Sequence, residues 1–294
     1  MKKTMIIKLG FLILMVGSFW MYLSHTGQAI KSQEAYEEAR ELAQNEIKEP
    51  MISESMVSEA AKEEETDTEE VTEEELGKNT DPVYGWQEIP VVDDPHMERL
   101  SAISLETLRE KNPDVVGWIE IPDTKLSYPL MAGTEDNYYL DHTWEKTSSV
   151  AGSVFVEFLC SDELEGFNTV IYGHRMKNDT MFGSLKYYKD STYWEKHPYV
   201  YVCNDTGVHR YEIFAAYEAT LQGSTYQIGF ADDASKQDFL DNCAEYSDLK
   251  TDVTPTIHDR VLTLSTCTGR GYESRWVVQA CCRGCTTKSS LAGE

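Results

Sequence analysis

The sequence predicts a mainly β domain, a closed or nearly closed barrel of eight strands, set behind an N-terminal membrane helix and an acidic stalk. Two observations carry the barrel. From about Val83 onward, short runs rich in Val, Ile, Tyr and Trp recur between turn residues, and few helical patterns separate them. Strands spaced this closely leave no room for the crossover helices of a parallel α/β sheet, so the sheet has to close on itself. A third observation orders the parts along the chain. Residues 1–30 carry three Lys and no acid, residues 31–80 carry 17 acids against 5 bases, and the remainder carries 34 against 18. The overall charge of −25 argues against a nucleic-acid partner, because phosphate affinity comes from clustered Lys and Arg.

In chain order, residues 1–30 hold a Lys-rich start and an apolar run of 19 residues from Met5 to Leu23, broken only by Lys8. That length is close to the ~20 residues that span hydrocarbon. With Lys2, Lys3 and Lys8 ahead of the run and acids behind it, the N-terminus is placed in the cytosol and everything else outside. A cleaved signal peptide is the competing reading, yet no clear small-x-small site follows Leu23, and the Gln28-Ala29 step is a weak one. Residues 31–82 include Glu63-Glu64-Glu65, Glu69-Glu70 and Glu73-Glu74-Glu75, with Tyr36 the single aromatic residue among them. Such a segment buries too little apolar area to offset its ordering entropy and reads as a disordered spacer. A short helix over Ala35–Ile47 fits the composition, with no core of its own. The acids lack the alternating pattern of a calcium loop.

Residues 83–294 form the globular domain. Ser104 suits the N-cap of a helix carrying Leu105 and Leu108 on one face and ending at Asn112-Pro113. Strands are expected at Val115–Ile121, Lys125–Met131, Ser153–Phe158, Thr169–His174, Tyr199–Cys203, His209–Tyr217, Val261–Cys267 and Arg275–Ala280, with helical insertions around Met181–Tyr188 and Ser235–Tyr246. Of the seven cysteines, Cys282 and Cys285 have the spacing of a redox pair or half a zinc site, but no second half follows. Cys160, Cys203, Cys243 and Cys281 read as small hydrophobes.

Cys267 differs by its setting. It ends the run Thr263-Leu264-Ser265-Thr266-Cys267, a turn follows, and a hairpin would return Arg275 beside it. A guanidinium next to a thiol favours thiolate and can hold the oxyanion formed when that thiolate attacks a carbonyl. A proton shuttle is also needed. Among the seven His, His174 ends the run Thr169-Val170-Ile171-Tyr172-Gly173-His174, where Gly173 permits a tight backbone approach.

These residues resemble the sortases, the cysteine transpeptidases of Gram-positive surfaces. The Thr263–Cys267 run with Arg275 opening the next strand looks like their signature. The stretch Asn168 to Met176 followed by Met181-Phe182-Gly183-Ser184-Leu185 is similar to the His region of class B members. Gly117-Trp118-Ile119, Ile121-Pro122, Asn137-Tyr138-Tyr139-Leu140 and Gly152-Ser153-Val154-Phe155 fit the same subclass, in its order, over about Leu100 to Ala280. The resemblance implies the eight-stranded sortase barrel, extra N-terminal helices and a helix in the loop before the seventh strand, where Ser235–Tyr246 falls.

It also implies a mechanism. Cys267 would attack a Thr carbonyl in the C-terminal sorting signal of a secreted protein, suspected to be Asn-Pro-x-Thr-like, and an amine of a peptidoglycan precursor or a pilin lysine would resolve the thioester. His174 would serve as general acid and base and Arg275 would hold the oxyanion, while Arg270 is the rival arginine. Asn137, with Asp136 as its alternative, Tyr172 and Ser265 are candidate substrate contacts, and residues 226–230 fall in the loop that reads the signal. No cofactor and no metal are implied. The long acidic stalk and the Cys281-to-Cys285 ending depart from the family pattern. Two other readings compete: a membrane-tethered surface binding protein without chemistry, and an L,D-transpeptidase-like enzyme, whose Cys-x-Arg spacing is not matched by Cys267 and Arg270.

Overall fold

The computed structural model describes residues 27, 30–44, 87–88, 93–160, 164–221, 223–268 and 273–287. The expected membrane helix and most of the expected stalk lie outside them, as does Arg270. Among the described residues no helix is long and apolar enough to cross a membrane.

The first element is a helix, α1, over residues 30–44. A two-residue strand β1 (Gln87–Glu88) and two short helices, α2 (Pro95–Ser101) and α3 (Leu105–Lys111), precede the barrel. Asp94 caps α2 and Ser104 caps α3, each accepting backbone N–H bonds through its side chain. The barrel strands are β2 (Val115–Glu120), β3 (Ser127–Met131), β4 (Val154–Val156), β5 (Asn168–Tyr172), β6 (Tyr199–Asn204), β7 (Gly207–Thr220), β8 (Val261–Cys267) and β9 (Ser274–Thr287). Helix α4 (Ser191–Lys196) precedes β6, and α5 (Asp233–Tyr246) lies between β7 and β8, in the loop before the seventh barrel strand.

Hydrogen bonding runs β9-β7-β6-β2-β3-β4-β5-β8, and a further β8–β9 pairing closes the ring. Closure leaves the eight strands without a free edge. Most pairs are antiparallel; β3–β4 and β5–β8 are parallel. Gly117 is required where β2 meets β6, because a Cβ there would stand 2.5 Å from the Cys203 carbonyl oxygen. Along β8, Leu262 and Leu264 enter the main core, while Val261 joins a smaller cluster with Phe239, Leu240 and Cys243 of α5. Thr263, Ser265 and Cys267 alternate onto the face of Val261.

Helix α1 corrects the domain boundary read from sequence, which assigned residues 31–82 to a stalk. Ala35, Tyr36, Ala39 and Ala43 are buried on the main core. The Tyr36 phenol donates to the Gly152 carbonyl at 2.5 Å, Trp144 Nε1 donates to the Ala35 carbonyl at 2.8 Å, and the Arg40 guanidinium donates to the Ser127 carbonyl at 3.1 Å. The face that docks is mostly alanine, which brings the helix backbone close to the barrel but carries little of the hydropathy that signals a core. Helix α5 starts two residues before the predicted start, because Asp232 and Ser235 form a reciprocal capping box.

All seven cysteines are free. Cys282 and Cys285 sit on β9, register partners of Tyr211 and His209 on β7, and are not joined. Beside them His209 is buried with its roles fixed. Its Nδ1 accepts from Arg260 at 3.3 Å, and its Nε2 meets the Asn204 Oδ1 at 3.1 Å. Burial, then the Arg260 charge, lower its pKa from 6.5 to about 3.

Two predictions follow from this packing. Tyr36→Phe should cost about 1 kcal/mol for the lost hydrogen bonds, and Tyr36→Ala about 3–5 kcal/mol for the emptied site, both read by chemical denaturation. Because the folded protein holds His209 neutral, the unfolded chain takes up the extra proton between pH 6.5 and about 3. This contribution is complete above pH 6.5 and is lost as pH falls. From pH 7 to pH 5 stability should drop by about 2 kcal/mol more in the wild type than in His209→Gln, measured as the difference between their unfolding free energies.

Candidate active site

The parallel β5–β8 pair and the antiparallel β8–β9 pair end at the same rim of the barrel. Cys267, the last residue of β8, is the register partner of Arg275 on β9. On the other side, Tyr172 is the partner of Ser265, and the Gly173 N–H continues the ladder to the Ser265 carbonyl at 3.2 Å. His174 therefore leaves β5 beside the end of β8. Cys267, His174 and Arg275 are all partly exposed. The three residues singled out from sequence thus share one rim.

His174 is held by its neighbours. Its Nε2 lies 2.6 Å from the Leu140 carbonyl oxygen, an acceptor only, so this nitrogen carries the proton and donates. Leu140 belongs to a 3-10 turn, Tyr138–Leu140. The buried Tyr139 anchors that turn by donating its phenol proton to Asp114 at 2.6 Å, while the Asn112 amide at the end of α3 donates to the Tyr139 oxygen at 2.9 Å and to the Trp144 carbonyl at 2.5 Å. Behind His174 the chain loops back and the Phe182 N–H donates to the His174 carbonyl at 3.0 Å. This loop contains Asp179 and Met181 in left-handed backbone, at φ 65° and 52°. The buried Met181 is held there by its N–H bond to the Tyr128 phenol oxygen at 3.1 Å. Such strain survives only where surrounding contacts over-determine the backbone.

Next to the rim lies an aromatic wall. The Tyr226 and Ser265 hydroxyls are 2.9 Å apart, and the Tyr226 ring stacks on Tyr172 with centroids 6.4 Å apart. Burial raises the Tyr226 phenol above its usual range, against the lowering effects of the Ser265 hydrogen bond and the Arg275 charge. Tyr172 is raised further, by burial first and then by the Glu157 carboxylate, to which it is hydrogen-bonded. Both phenols are neutral donors at pH 7. The loop carrying Tyr226 is fixed by a buried polar ladder. Asn168 donates to the Gln227 carbonyl at 2.9 Å, Thr263 donates to Asn168 at 2.7 Å, and Gln279 donates to Thr263 at 3.0 Å.

Tyr172 and Ser265 therefore adjoin the trio, and Tyr226 joins them from the loop expected to read a signal. Asn137 is less tightly placed. It is exposed, in left-handed backbone at φ 55°, three residues before Leu140, and its side chain makes no capping bond. Asp136 is instead engaged with Thr134, whose hydroxyl donates to it at 2.7 Å. The sequence reading gave Leu140, Glu157 and Asn168 no role of their own. Leu140 acts through a carbonyl, which no side-chain pattern reveals, and the other two depend on partners far away in the chain.

A model of the Sortase domain matches residues 119–282. The chain belongs to the class B sortases. It is 33% identical to Sortase B of Staphylococcus aureus over 181 residues, covering 62% of this chain and 74% of that protein. Sortase B of Listeria monocytogenes is 34% identical over 177 residues, covering 60% and 72%. The solved Staphylococcus aureus sortase B–substrate complex superposes with a TM-score of 0.59 at 32% identity, covering 65% of this chain and 89% of that one. This sortase is accordingly a cysteine transpeptidase on an eight-stranded barrel, and the readings as a binding protein without chemistry and as an L,D-transpeptidase-like enzyme are set aside.

Gly173 leaves no room for a side chain. A Cβ there would lie 2.8 Å from the Phe182 ring, inside van der Waals contact. Gly173→Ala should therefore displace the His174 loop, costing about 1–3 kcal/mol of stability by overpacking and lowering kcat more than KM in a peptide-cleavage assay.

Proposed function

We propose that this sortase uses Cys267 as nucleophile, His174 as general acid and base and Arg275 as oxyanion donor to move a secreted protein from its C-terminal sorting signal onto an amine at the cell wall. The observation that carries the reading is the pairing of Cys267 with Arg275 at the rim where His174 emerges. In the first half-reaction the Cys267 Sγ forms a bond to the Thr carbonyl carbon, and the oxyanion leans on the Arg275 guanidinium. The C–N bond then breaks as the leaving amine receives a proton from His174. In the second, the acceptor nitrogen attacks the thioester carbon, Sγ departs as thiolate, and the amine proton returns to His174. With Nε2–H engaged by the Leu140 carbonyl, Nδ1 is the nitrogen that carries the shuttled proton.

The neutral wall of Tyr172, Ser265 and Tyr226 suits an uncharged peptide such as an Asn-Pro-x-Thr-like signal, and Asn137 would contact the signal from the facing turn. A peptidoglycan precursor or a pilin lysine would supply the amine. The apolar run from Met5 to Leu23 behind three Lys supports a single-pass anchor with the barrel outside the cell, and the Glu-rich stretch after α1 supports a spacer.

Fluorogenic peptides spanning Asn-Pro-x-Thr-x and Leu-Pro-x-Thr-x test the reading. Cleavage after Thr is expected, together with a Cys267 acyl adduct in mass spectrometry, and both should vanish in Cys267→Ala. Arg275→Lys keeps the charge but loses the planar fork, and should lower kcat by about 10²–10³. Cleavage that survives Cys267→Ala would refute the assignment.

A further inference from the structure

Each residue of the trio is followed in sequence by one that borders a second cavity. Arg175 follows His174, Thr268 follows Cys267 and Trp276 follows Arg275, and these three line a pocket of about 310 Å³ with Lys186, Tyr187 and Lys189. Successive side chains of an extended strand point to opposite faces. Trp276 accordingly enters the main core while its neighbour Arg275 stays at the rim. The pocket thus flanks the trio across the strand ends from the Tyr172, Ser265 and Tyr226 wall.

Its chemistry is the reverse of that neutral wall. The Arg175 guanidinium donates to the Thr268 carbonyl, which ties the His174 loop to the end of β8. The Lys189 ammonium stands 4.4 Å from the centre of the Trp276 ring. Lys186 reaches 2.5 Å from Asp179 and 4.8 Å from the Tyr187 ring centre. Among the described residues that line the pocket, three are cations and none is a carboxylate, on a chain whose net charge is −25. A concave site of one sign concentrates ligands of the other.

Two substrates use the rim in turn, and the amine that arrives enters where the first amine left. A row of cations on that flank would repel a protonated amine, unless the acceptor also carries an anion. For an acceptor that does, the same cations help twice: they bind the anion, and they disfavour protonation of the attacking nitrogen. We propose that the pocket bounded by Arg175, Lys186 and Lys189 is a subsite for a carboxylate or phosphate borne by the acceptor amine. The inference rests on the transpeptidase reading above.

The test uses the full chain, a cleavable signal peptide and paired acceptors that differ only in charge. Aminohexanoate is compared with its amide, and aminohexyl phosphate with aminohexanol, with ligated product and hydrolysed product quantified separately by mass spectrometry. The acidic member of at least one pair should be favoured about tenfold in kcat/KM, the scale of one charge-assisted hydrogen bond, and the preference should shrink as salt is raised. Preference confined to the carboxylate pair identifies a peptide carboxylate as the recognised group, and preference confined to the phosphate pair a phosphorylated carrier. Lys189→Gln and Lys186→Gln should each reduce the ratio, which is read within one variant and so does not depend on its overall activity. Equal use of charged and neutral acceptors by the wild type, or an unchanged ratio in both variants, overturns the subsite while signal cleavage still stands. Absence of cleavage and of acyl adduct sinks the transpeptidase reading and the subsite with it.

Discussion

Strand β8 is bonded on both sides, parallel to β5 and antiparallel to β9, and this double pairing is the constraint on which the rest depends. It closes the barrel and sets β8 between β9, which follows it closely in the chain, and β5, which lies far ahead of it in the chain. Because hydrogen-bonded registers are set residue by residue, the partner of Cys267 is Arg275 and no neighbour. One step of slippage would turn every side chain of β8 to the other face, exchanging Cys267 for Thr266. The buried contacts of Leu262 and Leu264 inside the barrel, and of Val261 under α5, make such slippage costly.

Around that rim the structure puts rigidity where chemistry needs it. Cys267 and Arg275 stand on strands, whereas His174 stands on a loop that needs external support. That support comes from the Leu140 carbonyl on one side and the Phe182 N–H on the other, and behind Leu140 from the buried Asn112, Tyr139 and Asp114 chain. The polar ladder of Asn168, Thr263 and Gln279 does the same for the loop bearing Tyr226. These hydrogen bonds join side chains to partners on other elements, so the loops inherit the order of the barrel. The two flanks of the rim then differ in character, neutral and aromatic on one side, cationic on the other. A two-substrate enzyme that must tell a peptide from an amine has use for that asymmetry.

Much of this was legible in the amino-acid order. The strand patterns located all eight barrel strands, and β8 was predicted with its observed ends, because short apolar runs between turn residues leave little else to form. The trio was legible because a Cys at a strand end, an Arg opening the next strand and a His after a Gly are local signals that a hairpin and a parallel neighbour can unite. Tyr172 and Ser265 were visible only as neighbours of those residues.

What sequence could not determine lies in contacts between distant segments. Helix α1 was taken for part of a stalk, since its docking face is alanine and its one large anchor, Tyr36, finds its acceptor at Gly152 only after folding. The C-x-x-C spacing of Cys282 and Cys285 is equally compatible with a redox pair and with a strand, and the pairing of β9 with β7 decides for the strand. The carbonyl that holds His174, the wall around Tyr226 and the cationic pocket beyond Thr268 are likewise products of the tertiary structure. By itself the sequence determined the class of fold and the reacting groups, because strand periodicity and chemical identity are local properties. The tertiary structure decided which surfaces surround those groups, because register and long-range hydrogen bonds belong to pairs of segments and to neither segment alone.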